Sequence, residues 1–425
     1  LSKKYNRSKM AIVLYDQPES YQLAYNDNVW VFRGVPETYR YVVKVYENGN
    51  TTPIATLRVF NTPATNGSTD RAFVNLSRIL QSKLSHDLTI PEANHLGFLQ
   101  NSKSHLEYYL TIGEESNDGT LSRPAKYDVK SVWNGVQNNI DWLDFTASDY
   151  LMDTGAGSHK FLTDGPTGTS YRDIGASESA SLYFIGTENN APAGYYLTTY
   201  DDFDGTGSQL SNVFVRNPFA AAMANNENKY LRIPVGTYDI PLTNISQYSS
   251  GNPATILNGV KSYRITLWDS GFPISESVLF NIDKNCSKYT PVRLHWMNRL
   301  GGFDSFNFDL KSEESTDVRR KQFEQNAHDF TGFGWTYTKA DRGRTQYDTQ
   351  MTKKLKVNTN YLSELESVWM ESLFTSPEIY QEVNNELIAV NINGSSIRKQ
   401  TSLNDKLMQY TFDLEYSIRN MRQRG

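Results

Sequence analysis

The stretch that decides the fold runs from residue 39 to residue 60 and reads YRYVVKVYENGNTTPIATLRVF. Apolar and polar side chains alternate through residues 39–46 and again through residues 53–60, which is the pattern of half-buried β-strands. The polar segment 47–50 between them has the composition of a turn. The stretch therefore predicts a β-hairpin, and the rest of the first hundred residues shows similar alternation.

A second hairpin is expected near residue 270. Residues 262–268 resemble residues 38–44, since both segments contain the pair Tyr-Arg. Residues 273–281 parallel residues 53–61, because both begin with Pro-Ile and end with Phe-Asn. This similarity has two interpretations: a duplicated β-sandwich, or chance resemblance among β-rich hairpins. Both predict an antiparallel strand pair at this position.

The composition favours a mainly β, multidomain protein. The 425 residues correspond to about two to four domains at ~150 residues each. Aromatic residues make up 13% of the chain, and such flat side chains favour strands and contact surfaces. We predict β-sandwich domains followed by a small C-terminal α+β domain. The predicted domains are an N-terminal β-sandwich over residues 1–112, a Gly/Asn/Thr-rich β domain over 113–260, and a β then α+β domain over 261–425.

The C-terminal region contains the clearest helical pattern, over residues 362–373. Ser363 or Asn360 is the predicted N-cap, and Pro377 ends the segment. Because this helix is expected to pack on a sheet, one of its faces should be apolar. The residues predicted to form that face are Leu362, Leu365, Val368, Trp369 and Leu373.

Charge and cysteine content exclude several classes of protein. The chain has 42 Lys and Arg against 47 Asp and Glu, a net charge of −5, so no basic field attracts nucleic acid. A single cysteine, Cys286, cannot form an internal disulfide framework or a thiolate metal site. No apolar stretch approaches the ~20 residues of a membrane-spanning helix. The apolar run after Met10 is too short for a secretory signal, so we expect folding in the cytoplasm, with Met10 as an alternative start.

Residues 200–205, with the sequence YDDFDG, form the most acidic cluster and raise the question of a calcium site. A complete calcium-binding loop requires a third oxygen ligand and a glutamate at its twelfth position. Thr206 stands where the third ligand is required, and no downstream glutamate completes the site. A turn rich in Asp and Gly explains the same residues, so we favour a turn and expect no metal.

No motif predicts catalysis. The six histidines form no zinc-hydrolase pattern, and neither a serine-nucleophile elbow nor a phosphate-binding glycine loop is present. His295 is interpreted as a packed or hydrogen-bonded strand residue. Glu364, Glu366 and Glu371 are interpreted as solvated positions on the predicted helix rather than as acid–base groups. We therefore expect a protein that is not an enzyme and needs no cofactor.

A more suggestive cluster is the polar loop 341–348, in which Arg342 and Arg344 flank a glycine. Two guanidinium groups placed so closely are able to pair with carboxylates on a neighbouring chain, or the loop is a solvated hairpin tip. Arg419, Arg422 and Arg424 form a basic C-terminal tail with the same two interpretations. These five arginines are the predicted interface residues.

Several strings in the chain carry a resemblance to a family of structural proteins encoded among the tail genes of phages and prophages of Bacteroidetes-type bacteria, including crAss-like phages. The resemblance covers most of the chain, is strongest after residue 286 and is weak between about 113 and 260. The strings are MAIVLYDQP (10–18), CSKYTPVRLHW (286–296), NRLGGFDSF (298–306), DRG (341–343), LFTSPE (373–378), LEYS (414–417) and RQRG (422–425).

This resemblance implies a virion structural protein of the tail or baseplate, assembled in the cytoplasm of the host bacterium. Such a protein forms an oligomeric ring or an adaptor between tail parts and fibres, and its partners are copies of itself and neighbouring tail proteins. The Gly/Asn/Thr-rich middle domain is then expected to be the outward, variable part.

Two alternatives remain open from the sequence. One is a host-glycan binder or depolymerase carried on the same particle, with a host surface glycan as its partner. It requires an aromatic-lined groove with convergent polar groups, or two carboxylates ~5–9.5 Å apart. The other is a bacterial cell-surface binding protein, which the missing secretory signal disfavours.

Overall fold

The fold is mainly β, as predicted, with several sheets and few helices. Within the described residues, no helix is both long and apolar enough to cross a membrane. The computed structural model describes residues 12–34, 40–62, 71–122, 124–137, 145–152, 158–187, 191–224, 229–284, 288–326, 329–330, 332–336, 338–340, 343–394 and 408–418.

The chain forms two compact units. The first contains Leu1–Lys284 and Met297–Asp304, and the second contains Asn285–Trp296 and Ser305–Gly425. These bounds differ from the three predicted domains. The predicted boundary at residue 260 would separate the hairpin 262–282 from residues 194–200, but these residues pair antiparallel with the first strand of that hairpin in one sheet.

The N-terminal region of the first unit is a β-sandwich. One sheet has the strand order β1-β3-β6, and the other has β2-β10-β8-β4-β5 with β9 paired to β8. The elements are β1 (Val13–Asp16), β2 (Tyr21–Leu23), β3 (Val29–Arg33), β4 (Arg40–Glu47), β5 (Pro53–Val59), β6 (Ala72–Asn75), α1 (Ser77–Gln81), β7 (Leu99–Gln100), β8 (His105–Glu115), β9 (Ala125–Lys126) and β10 (Lys130–Trp133).

The predicted hairpin is confirmed as β4 and β5, which pair antiparallel with Tyr41 opposite Val59. Alternate residues of β4 and β8 point to the interior, among them Tyr41, Tyr108 and Ile112, which are fully buried. Trp30 on β3 faces them from the opposite sheet within the same hydrophobic core. Burial of these side chains stabilises the sandwich, because large aromatic and branched residues contribute the most buried apolar area.

The second half of the first unit is also built from two sheets around one core. β7 joins the first of them, in the order β11-β13-β16-β7, and the second has the order β12-β18-β17-β14-β15. The elements are β11 (Leu151–Met152), β12 (Tyr171–Ile174), β13 (Ser181–Gly186), β14 (Gly194–Tyr200), β15 (Gln209–Arg216), α2 (Ala220–Ala224), β16 (Tyr230–Pro234), β17 (Ser262–Asp269) and β18 (Phe272–Ile282).

The predicted second hairpin is β17 and β18, but it is not a structural repeat of the first. Phe280 on β18 is 3% exposed and lies in the core, whereas its sequence counterpart Phe60 is 53% exposed. The last residues of the two return strands therefore bury opposite faces when their sequences are aligned, although Ile54 and Ile274 near the first residues both pack against their cores. A duplicated sandwich would keep the same face buried, so the structure favours chance similarity.

The second unit contains a seven-stranded sheet with the order β20-β19-β25-β26-β27-β24-β21 and one packed helix. This arrangement confirms the predicted C-terminal α+β fold. The elements are β19 (Val292–Met297), β20 (Phe303–Phe308), β21 (Glu313–Glu324), β22 (Asp329–Phe330), β23 (Trp335–Thr336), β24 (Arg344–Asn358), α3 (Glu364–Thr375), β25 (Ile379–Val383), β26 (Glu386–Ile392) and β27 (Thr411–Tyr416).

The helix α3 begins as predicted, with Ser363 as its N-cap. The Ser363 hydroxyl accepts a hydrogen bond from the Glu366 backbone N–H, and the Glu366 carboxylate accepts one from the Ser363 backbone N–H. The predicted apolar face is partly wrong. Trp369 and Leu373 are buried, but Leu365 and Val368 are exposed, because the side of α3 that faces the core is completed by Met370 and two small serines, Ser367 and Ser372.

Candidate functional site

Of the five arginines predicted as interface residues, the structure describes Arg344. It is the first residue of β24, and its Nη2 lies 3.0 Å from Oε1 of Glu324 on β21. Both side chains are largely exposed, so this ion pair contributes little to stability. The other four, Arg342, Arg419, Arg422 and Arg424, lie outside the described residues, and their role stays a prediction.

β21 and β24 extend past the sheet as a two-stranded ribbon. They pair from Glu313 opposite Lys356 to Glu324 opposite Arg344, whereas β27 pairs with β24 over residues 354–358. Among the described residues, the remaining part of each strand pairs only with the other. We call this part, residues 316–324 and 344–353, the ribbon. At 3.3 Å per residue it is roughly 30 Å long.

The ribbon has no core of its own. Every residue of β21 is exposed, and β21 is an edge strand of the sheet. Phe323 and Tyr347 pack against each other with ring centroids 6.0 Å apart, yet both remain exposed. Near the tip, Phe333 is fully exposed and Trp335 is 68% exposed. Isolated two-stranded ribbons are marginally stable in water, and open strand edges pair readily with other chains.

A buried polar network surrounds Asp304 in the first unit. Its carboxylate accepts hydrogen bonds from the Thr163 hydroxyl and from Nδ2 of Asn298, the latter at 3.0 Å. Nη1 of Arg172 lies 3.4 Å away, and Arg172 also donates to the carbonyl of Pro166 at 3.0 Å. Because donors inside the protein engage this carboxylate, the network holds the loops together rather than presenting a reactive group.

Asp164 lies beside this network and brings a second carboxylate close to Asp304. Its backbone N–H donates to Oδ2 of Asp304 at 3.2 Å. Burial raises the pKa of Asp164, and the nearby Arg299 opposes that shift, with its Nη2 3.5 Å from Oδ1 of Asp164. The two carboxylates are therefore largely buried, and each has an arginine partner within the first unit.

A similar cluster lies in the second unit around Glu382. Its Oε2 lies 2.8 Å from Nε2 of His295 and 3.3 Å from Nε of Arg293. Arg293 also donates to Oδ1 of Asn307 at 2.6 Å and to the Ser305 hydroxyl at 2.7 Å. The interpretation of His295 as a hydrogen-bonded strand residue is confirmed.

The acidic cluster at residues 200–205 is a turn, as favoured from the sequence. Asp201 accepts a hydrogen bond from the backbone N–H of Ser208 at 2.6 Å. Asp204 accepts from Nζ of Lys284 at 2.6 Å and has a positive φ of 59°. Within the part of the chain that the structure describes, no group of three or more His, Cys, Asp or Glu side chains is arranged to hold a metal ion.

An open cleft of about 560 Å³ lies on the outer face of the sheet that contains β14 and β17. Strand alternation produces its floor: Tyr195 and Leu197 of β14 enter the core, whereas the residues between and after them face outward. We call it the aromatic cleft, and its floor residues are Tyr196, Thr198 and Tyr200 from β14 and Arg264, Thr266 and Trp268 from β17.

Two aromatic rings of the cleft pack against each other. The ring centroid of Tyr196 lies 4.9 Å from that of Trp268, with their planes at 75°. The Tyr196 ring also lies 5.1 Å from that of Phe214 on β15, with their planes at 56°. These contacts restrict the orientation of the Tyr196 and Trp268 rings.

Polar groups surround these rings. Asn212 accepts a hydrogen bond from the Thr198 hydroxyl at 3.0 Å, and Gln209 lies at the same end of β15. The Nε of Arg264 is buried without a hydrogen-bond partner among the described residues. Among the described lining residues, Glu276 supplies the one carboxylate, whose oxygens accept from the Phe161 backbone N–H at 3.0 Å and from a threonine hydroxyl.

Sequence reasoning missed the aromatic cleft. The segment GYYLTTY forms β14, and its alternate positions Tyr196, Thr198 and Tyr200 are a signal in the sequence that one face is aromatic and polar. The sequence did not indicate which strand pairs with β14. The pairing of β14 with β17 places Gly194 opposite Trp268 and Thr198 opposite Arg264.

Comparison with known proteins provides little further information. No protein-family model matches the sequence, and no curated protein matches it. The fibronectin(III)-like modules of Clostridium thermocellum CbhA align at 10% identity over 64% of this chain and 94% of theirs, with a TM-score of 0.16. Tp47, the 47-kilodalton lipoprotein of Treponema pallidum, aligns at 10% identity over 76% of this chain and 84% of its own, with a TM-score of 0.18. Scores this low carry no argument about function.

Proposed function

We propose that this chain is a structural protein of a bacteriophage tail or baseplate. It works in the virion as part of an oligomeric ring, or as an adaptor between tail parts and fibres. Its partners are copies of itself and neighbouring tail proteins, which it contacts through complementary surfaces. In this role it turns over no substrate.

The observation that carries the proposal is the ribbon. A strand pair roughly 30 Å long with exposed faces gains little from its own chain, and it becomes stable when a partner covers it. The exposed rings of Phe333 and Trp335 near its tip provide apolar area for such a contact. Arg344, at the end of the ribbon, lies where a charged group contributes to the rim of an interface.

The family resemblance supports the same proposal. The strings that carry it supply Asp304 and Arg293 to two buried networks, and Leu373 to the core under α3. These residues maintain the fold, and none of them lies in the aromatic cleft.

The test is the mass of the purified full chain in solution, measured by light scattering after size-exclusion chromatography. We expect a discrete oligomer for the unmodified protein. Phe333→Ser with Trp335→Ser, and separately Arg342→Ala with Arg344→Ala, should shift the population towards the monomer. Tyr361→Ser is the matched control, because Tyr361 is 70% exposed and lies outside the ribbon.

A second measurement connects assembly to the particle. Phage particles that contain this chain should carry it in the tail when it is detected by immunogold labelling in electron micrographs. A protein that stays monomeric at micromolar concentration and is missing from purified particles would overturn the proposal. If the ribbon variants assemble as well as the Tyr361→Ser control, the ribbon is not an assembly surface and that part of the proposal is wrong.

A further inference from the structure

We propose that the aromatic cleft binds a pyranose unit of a glycan chain. The proposal stands on the cleft in the first unit and is independent of the ribbon and of assembly. It assigns a second kind of surface to this protein: one that recognises a carbohydrate directly.

The first argument is the shape and chemistry of the floor. A pyranose ring has faces of C–H groups and a rim of hydroxyls, so it binds where a flat apolar surface is surrounded by planar polar side chains. The Trp268 and Tyr196 rings have centroids 4.9 Å apart and planes at 75°, so one ring of the pair presents a flat apolar face while the other packs edge-on against it. Their mutual packing holds them in place, so little side-chain entropy is lost on binding.

The second argument is the set of polar groups around the rings. Asn212 and Gln209 offer amide donors and acceptors, both exposed at one end of the cleft. Arg264 also lines the cleft, with its guanidinium carbon 5.8 Å from the centroid of the Tyr200 ring. A guanidinium group is a donor for sugar hydroxyls and for the carboxylate of an acidic sugar.

The number of carboxylates in the cleft favours binding of a sugar over its hydrolysis. Glycoside hydrolysis requires two carboxylates on opposite sides of the bond that breaks. The described lining of the cleft contains one, Glu276, and both of its oxygens already accept hydrogen bonds from the protein. The cleft therefore holds a sugar without cleaving it. Its volume of about 560 Å³ accommodates one or two sugar units, and its open form lets a chain continue on either side.

The experiment is affinity electrophoresis of the full chain in native gels that contain soluble polysaccharides, followed by calorimetric titration. The probes are a β-glucan, an α-mannan and an arabinogalactan as neutral chains, and polygalacturonate and alginate as acidic chains. We expect at least one of them to retard the protein. Trp268→Ala should then weaken binding by about tenfold or more, as for an aromatic residue at the centre of a contact.

Two further variants guard against a folding defect. Asn212→Ala and Gln209→Ala change exposed side chains, and each should weaken binding by about two- to tenfold, the value of one hydrogen bond. Tyr361→Ala, at an exposed ring in the second unit, should leave binding unchanged and is the control. No new reducing ends should form during incubation.

The outcomes are distinct from those of the assembly test. Failure of all five polysaccharides to retard the unmodified chain would overturn the glycan proposal, and so would binding that survives every cleft variant. If Trp268→Ala and Tyr196→Ala change the oligomer mass instead, the cleft is a protein contact and the proposal is wrong. Loss of assembly in ribbon variants with intact glycan binding would leave the present inference standing.

Discussion

Replacing Asp304 by alanine tests how much its buried ion pair with Arg172 contributes to the stability of the first unit. The Asp304 side chain is 1% exposed, and that of its partner Arg172 is 5% exposed. Without the carboxylate, the Arg172 guanidinium stays buried beside a cavity, and the donors on Thr163 and Asn298 lose their acceptor. Breaking a buried ion pair by removing one partner costs about 3–5 kcal/mol, so the first unit should lose that much stability.

The assay must read the two units separately, because a single unfolding midpoint is not well defined for such a chain. Hydrogen exchange followed by mass spectrometry does so. Amides of β13 and β16 in the first unit should exchange about 10²- to 4 × 10³-fold faster in Asp304→Ala, which is the exchange equivalent of that energy. Amides of β25 and β26 in the second unit should keep their rates.

Two variants serve as controls for the Asp304 experiment. Asp149→Ala removes the carboxylate of an exposed pair with Lys160, in which the two groups lie 3.3 Å apart, and it should cost less than about 1 kcal/mol. Asp304→Asn keeps an acceptor of the same shape and should give an intermediate effect. A loss below about 1 kcal/mol in Asp304→Ala, or equal acceleration in both units, would refute the reasoning.

Two further predictions follow from single positions. Burial lowers the pKa of His105 from 6.5 to about 4, so the folded protein keeps this ring neutral while the unfolded chain binds a proton below pH 6.5. Stability should therefore fall as pH falls from 6.5 towards 4, by up to about 3 kcal/mol from this group, and urea midpoints of His105→Gln across that range should show a shallower slope. Gly301 has a φ of 84°, and an added Cβ would lie 2.0 Å from the carbonyl oxygen of Asn134, so Gly301→Ala should lower stability by about 1–3 kcal/mol or more in urea unfolding. Gly119→Ala has a similar φ of 81° but open space around it; equal losses in the two alanine variants would contradict the proposed clash.

Local patterns were enough to predict the elements that depend on neighbouring residues. Alternation identified the strand pairs β4–β5 and β17–β18, and the helical pattern with Ser363 or Asn360 as N-cap identified the start of α3. In each case the determining interaction joins residues close in sequence, across one turn or within one turn of helix. Mainly β architecture follows from many such signals.

The buried side of a helix or strand was harder to predict than the helix or strand itself. Not all apolar residues of the helical pattern at 362–373 are buried. Trp369 and Leu373 pack in the core, whereas Leu365 is exposed to solvent. The similarity between the two hairpins left both a repeat and chance open, and the burial of Phe280 but not of Phe60 argues for chance. Which face is buried depends on what packs against it, and that information lies elsewhere in the chain.

The sequence by itself determined that this is a β-rich chain with a capped C-terminal helix and hairpins at particular positions, because hydrophobic alternation and capping are local. Only the tertiary structure decided which residues meet. It paired Arg172 with Asp304 across 132 positions, and it placed Trp268 beside Tyr196 through the pairing of β14 with β17. Contacts between distant segments arise when whole sheets bury their apolar faces together, and a single sequence carries no local signal for that choice.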